Sequence, residues 1–254
     1  MYIKLKKVGN ITIGFNLSLL LVSVVIGWYL SSISISSEFG NLGGFERGLI
    51  IFVGISVFII SIVLHEMAHF IVAKMLGIEL RRFIFSVTDG LMFADLYQAS
   101  TKPTDVSRRT FKIAVAGPLV SFALASLFAT SWWLESQDMI TEIFPQKNSI
   151  ILVLYYAALG NFIFALVNLI PAFPCDGVLI LTAFLERRSK NRQTLGFGDS
   201  LRVMYVSGFA IIFCCFAAGC YLLFSNAFLN GLWLILAVWI VGSDVIPFLG
   251  RRPD

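Results

Sequence analysis

The chain has 254 residues, of which 58% are hydrophobic and 13% charged, and a formal net charge of +4. So few charged residues cannot cover a water-soluble surface of that size, which excludes an ordinary soluble globule and points to a membrane. The basic residues gather between apolar stretches, so the positive balance reads as membrane topology and nucleic acid is not expected as a partner.

Six apolar stretches approach the roughly 20 residues needed to cross a hydrocarbon core about 30 Å thick. They run from about Ile11 to Leu30, Leu49 to Leu76, Phe111 to Leu134, Ile150 to Ile170, Val203 to Phe224 and Leu229 to Pro247. The expected fold is an all-α membrane protein of about six transmembrane helices in one domain, residues 1–254. Lys4, Lys6 and Lys7 precede the first stretch. With an apolar run too long for a signal peptide and no small-residue cleavage site after it, that stretch is expected to be a retained anchor. An N-terminus in the cytoplasm then puts the loops around 78–110 and 186–202 and the C-terminal tail on the same side. Those segments hold most of the basic residues, including Arg81, Arg82, Arg108, Arg109, Arg187 and Arg188, against Arg47 and Lys147 on the other. The expected location is therefore a cell membrane, crossed several times, with both termini cytoplasmic.

Late in the second stretch stands His65-Glu66-Met67-Ala68-His69, which contains the only two histidines of the chain. On a helix, a separation of four residues stacks two imidazoles on one face, where both can reach one metal ion, and Glu66 lies alongside as a base. Ionisable groups at membrane depth are costly, so three on two turns of one helix need a common explanation, and zinc supplies one. The plainer alternative is a set of polar side chains bonding across helices.

Between the second and third stretches, Leu80–Thr88 and Leu91–Tyr97 are rich in β-formers and flank Asp89-Gly90, a turn signal, so a small β-hairpin is expected there. Its edge would be suited to receive an unwound substrate strand.

The fourth stretch ends in Asn168-Leu169-Ile170-Pro171-Ala172-Phe173-Pro174-Cys175-Asp176-Gly177, where two prolines and a glycine should break the helix. Irregular backbone at membrane depth is tolerated where it lines a protein cavity, and a catalytic zinc site needs a third protein ligand. Asp176 is the candidate. Asp before Gly is equally at home in an interfacial turn, and spacing alone does not choose between the two. Cys175 offers a thiolate, but neighbouring residues seldom point the same way. Cys214, Cys215 and Cys220 read as small packing residues of the fifth stretch, and no disulfide framework is indicated.

His-Glu-x-x-His together with Asn-x-x-Pro-x-x-x-x-Asp-Gly resembles the site-2 protease family of intramembrane zinc metalloproteases, and Ala116-Gly117-Pro118 resembles that family's Ala-Gly-Pro segment. The likeness covers about residues 10–185 and leaves a less diagnostic C-terminal helix pair at 203–247. The resemblance implies one Zn²⁺ held by His65, His69 and Asp176, with Glu66 as catalytic base and Asn168 lining the site as a second catalytic residue. It further implies a transmembrane-helix protein as substrate and peptide hydrolysis in or near the bilayer. Topology puts the site in the cytoplasmic half, because the second and fourth stretches both run from outside to inside and carry the His-Glu-x-x-His motif and Asp176 near their cytoplasmic ends. The chain departs from the family in Cys175-Asp176-Gly177-Val178, where Leu-Asp-Gly-Gly is usual, and in Asp89-Gly90, where a Gly-Gly pair is usual. Two rival readings are a catalytically inactive relative that binds transmembrane helices and a membrane metal transporter. A transporter would string its ligands along a pathway rather than gather them at one depth.

Overall fold

The computed structural model describes residues 2–8, 11–16, 44–78, 82–85, 103–136, 147–172, 175–188 and 197–224, with a few positions between 231 and 238. Helices dominate. They are α1 (Gly44–Met75), α2 (Pro103–Ser136), α3 (Lys147–Asn168), α4 (Asp176–Arg188) and α5 (Phe197–Leu223). Four of them, all but α4, contain segments long and apolar enough to cross a membrane. These match the second to fifth predicted spans, whereas the sixth, Leu229 to Pro247, falls largely outside the described residues.

The expected all-helical fold needs correction at its N-terminus. Strands β1 (Tyr2–Val8) and β2 (Ile11–Asn16) pair antiparallel, and β3 (Arg82–Phe85) joins β2 in parallel to give the sheet order β1-β2-β3. A helical span cannot therefore begin at Ile11. The misleading feature was the apolar run that continues past Asn16. The informative one was the alternation of Ile3 and Leu5 with Lys4 and Lys6, followed by Gly9-Asn10 and the β-branched Ile11, Thr12 and Ile13. Residues 17–30 of that predicted span lie outside the described residues. Likewise, Arg82–Phe85 is a strand as the hairpin reading requires, but its partner here is β2. The turn at Asp89-Gly90 and the second arm, Leu91–Tyr97, lie outside the described residues.

The helices are packed as lipid demands. Large apolar side chains such as Phe52, Ile60, Leu127 and Phe213 face outward, while Ser61, His65, Glu66, Ser121 and Asn161 are buried between helices. Helix α2 is the hub and packs against α1, α3 and α4. Helix α1 ends in a Schellman cap: Gly77 takes a left-handed φ of 73°, its N–H donates to Lys74 O (3.0 Å), and the Ile78 N–H donates to Ala73 O (3.1 Å). Ile78 and Ala73 then cluster with Ile113 of α2, so the cap that stops α1 also docks it on the hub.

Helix α3 ends where the sequence predicts a break. Pro171 has no N–H to extend the ladder, and the chain turns through short bonds, Ala172 N–H to Ile170 O and Cys175 N–H to Ala172 O, both 2.8 Å. Helix α4 restarts at Asp176, an acidic residue in the first turn, where the helix dipole favours negative charge. Gly177 lies so close to the Leu169 and Ile170 carbonyls that a Cβ there would collide with backbone. Ser107 of α2 ties the new helix down by donating its hydroxyl to Ala183 O at 2.7 Å.

A candidate metal centre

His65 and His69 lie on one face of α1, with ring centroids 4.9 Å apart, 1% and 4% exposed respectively. The break after α3 swings Asp176 against them. Asp176 Oδ2 is 3.2 Å from His65 Nε2 and 3.2 Å from His69 Nε2, and the two Nε2 atoms are 3.2 Å from each other. Among the described residues, this is the group of His, Cys, Asp and Glu placed to share a metal ion. Cys175 is not part of it.

The far side of each ring fixes which atom faces the centre. His69 Nδ1 is 2.7 Å from Ile113 O. A carbonyl can only accept, so Nδ1 carries the proton and the neutral ring presents a bare Nε2. His65 Nδ1 is 2.9 Å from the hydroxyl oxygen of Ser121, which is fully buried on α2. The ring of Phe164, from α3, packs edge-on against His65 with centroids 4.8 Å apart.

Asp176 Oδ2 and the two Nε2 atoms, each able to offer a lone pair, thus stand at the corners of a nearly equilateral triangle. A proton can bridge only one of its edges, whereas a cation serves all three. Zinc bonds of about 2.0–2.1 Å in a tetrahedron set their ligand atoms about 3.3 Å apart, close to the observed 3.2 Å edges. The donor set and its spacing fit zinc.

Gly117 of α2 completes the arrangement. A Cβ built there would meet the Nε2 atoms of both histidines, so the missing side chain is what leaves room at the centre. The next residue, Pro118, withholds the N–H that Ala114 O would receive in a regular helix.

The remaining predicted site residues play no part in the triangle. Glu66 is buried on α1 at 6% exposure, adjacent to His65 in sequence. Asn168, the last residue of α3, is buried at 8% and donates its side-chain N–H to Phe164 O at 3.0 Å, back into its own helix. Sequence reasoning missed the contributions of Ser121 and the Ile113 carbonyl, and did not foresee why Gly117 is glycine. One signal was available: 113, 117 and 121 are spaced by four, which places them on one face of α2, and small residues in a membrane helix mark close packing. It also missed the buried Asn161, whose amide donates to Ser61 Oγ (3.1 Å) one turn before His65 and to Ala157 O (2.8 Å).

Apolar helices of spanning length packed around a buried His-His-Asp triangle define a membrane metalloprotein. Comparison with known proteins narrows the class. The sequence profile of peptidase family M50 matches residues 53–149 and 138–213. Rip3 of Mycobacterium tuberculosis is 23% identical over 243 residues, which cover 94% of this chain and 56% of that protein. A zinc metalloprotease of Methanocaldococcus jannaschii is 30% identical over 129 residues, 51% of this chain and 33% of its own length. The solved structure of a site-2 protease from Methanocaldococcus jannaschii superposes with a TM-score of 0.56 at 22% identity, covering 100% of this chain and 97% of that one. The chain belongs to peptidase family M50 and shares the site-2 protease fold. It spans about half the length, or less, of these curated relatives.

Proposed function

We propose that the protein is a zinc endopeptidase that hydrolyses peptide bonds in or beside transmembrane segments of membrane-protein substrates. The observation that carries this reading is the triangle of three candidate ligand atoms, 3.2 Å on each edge, held inside a membrane-type helix bundle. His65, His69 and Asp176 hold the ion. Zinc, when bound, supplies a Lewis acid that polarises the scissile carbonyl and acidifies water.

Glu66 acts as the general base, taking a proton from the attacking water and returning it to the leaving nitrogen as the C–N bond breaks. It is suited to this because it shares α1 with both histidines but is not one of the three ligand atoms. Asn168 sits at the lip of the break, as the last residue of α3, and lines the substrate path beside the developing oxyanion. Met75 ends α1 six residues after His69, about 9 Å along the axis. With the basic loops on the cytoplasmic side, this sinks the site into the cytoplasmic half of the bilayer. A helical substrate must unwind before its carbonyls are accessible. Strand β3, last in the sheet order and packed on α1, is suited to take up the unwound segment by strand addition.

Zinc content and cleavage of a reconstituted transmembrane peptide, measured together on wild type, Glu66→Gln and Asp176→Asn, test the proposal. Wild type should hold about one zinc, and Glu66→Gln should keep it while losing roughly 10²- to 10⁴-fold in turnover. Asp176→Asn should lose the metal. Normal turnover in Glu66→Gln would remove the assigned base, and a zinc-loaded wild type that binds the peptide without ever cutting it would leave a helix-binding relative in place of a protease.

A further inference from the structure

Of the two imidazoles at the centre, His69 has its tautomer set by a main-chain carbonyl, whereas His65 depends on a side chain. Ser121 Oγ, at 2.9 Å from His65 Nδ1, is the partner of that nitrogen. The hydroxyl is fully buried on the face of α2 that carries Ile113 and Gly117. Residues 113, 117 and 121 give that face three parts at four-residue spacing: an acceptor for His69, a gap for the centre and a hydroxyl for His65.

The pairing runs antiparallel, with His65 meeting Ser121 and His69 meeting Ile113, so one helix orients both rings. Neutral imidazole carries one proton. Placed on Nδ1 and donated to Ser121 Oγ, it leaves Nε2 bare toward Asp176 and His69. Placed on Nε2, it would point into the triangle and block a cation. Asp176 Oδ2, 3.2 Å from Nε2, draws the proton inward while the centre holds no cation, so Ser121 is the described partner that draws it outward to Nδ1, and Phe164 offers only its ring.

We infer that Ser121 is a positioning residue for the metal centre: its hydroxyl accepts the His65 Nδ1 proton and thereby holds the Nε2 lone pair on the ion. The inference rests on the proposal that His65, His69 and Asp176 bind zinc. Outer partners of metal-bound histidines typically contribute 10- to 100-fold to metal affinity.

The test is equilibrium zinc affinity, by competition with a chromophoric chelator, for the purified full chain as wild type and as Ser121→Ala, Ser121→Thr and Ser121→Val. Helical content and the zinc-free unfolding midpoint are recorded for each. Thr and Val share a shape and differ in the hydroxyl, so their ratio isolates the hydrogen bond from packing. Ser121→Ala and Ser121→Val should bind zinc about 10- to 100-fold more weakly than wild type, and Ser121→Thr at least about 10-fold more tightly than Ser121→Val. Equal affinity in Thr and Val, or wild-type affinity in Ala, overturns the role of Ser121. A folded wild type that binds no zinc overturns instead the metal site on which it rests.

Discussion

The two halves of the centre are held by opposite means. The histidines sit within one long helix, and hydrogen bonds from a neighbouring helix orient them without any departure of α1 from helical geometry. Asp176 owes its place to a rupture: α3 stops at Asn168, the chain turns past Pro171, and a new helix begins with the carboxylate as its first residue. One half is regular structure fine-tuned from outside. The other is irregular structure made rigid by close backbone contact and a tie to α2. The histidine half should therefore fail by losing chemistry while keeping its fold, and the aspartate half by losing both together.

The largest effect is expected at Gly117. A Cβ there would meet both Nε2 atoms, so Gly117→Ala should weaken zinc binding by on the order of 100-fold or more, the upper end of what outer-shell changes cost. Alanine is the better helix former by about 0.8–1 kcal/mol, but a Cβ against two buried, hydrogen-bonded rings costs about 1–3 kcal/mol, so the zinc-free unfolding midpoint should hold or fall slightly. Zinc titration alongside thermal unfolding checks this, and unaltered affinity would break the comparison at its clearest point. Next comes Gly177→Ala, whose Cβ would press on the Leu169 and Ile170 carbonyls. Backbone cannot move aside as a side chain can, so about 1–3 kcal/mol of stability should be lost, with zinc affinity falling roughly tenfold as Asp176 is displaced. Chemical unfolding in detergent and the same titration read both. The smallest effect is expected at Ser107→Ala, which removes the hydrogen bond to Ala183 O and should cost about 1 kcal/mol. Unfolding curves with and without zinc would sharpen the contrast, since a tie that serves the aspartate half should matter more to the zinc-loaded protein.

The same asymmetry explains what the sequence revealed. The histidine pair is legible because helical periodicity alone puts residues 65 and 69 together, and the prolines around Asp176 announce a break without reference to tertiary structure. Spacing could not say where the break would aim its carboxylate. That depended on the family resemblance and now rests on two 3.2 Å contacts made across the bundle. Ser121 was illegible for a related reason, since a lone serine in an apolar helix gains a meaning only when its neighbour is known. The N-terminal sheet was missed because a long apolar run after Asn16 outweighed a short alternating pattern before it, and because β2 takes β3, some 70 residues further along the chain, as a partner.

The Ile113 carbonyl that orients His69 belongs to the main chain, and that bears on inheritance. No single-codon replacement at position 113 can delete the acceptor, since every amino acid brings the same carbonyl. The partner of His65 is encoded in one serine codon and can be lost or exchanged in a single step. Of the two Nδ1 partners, only that of His65 can be removed outright by mutation, and descendants of this chain that adjust the centre while keeping His65, His69 and Asp176 should do so at position 121 rather than 113.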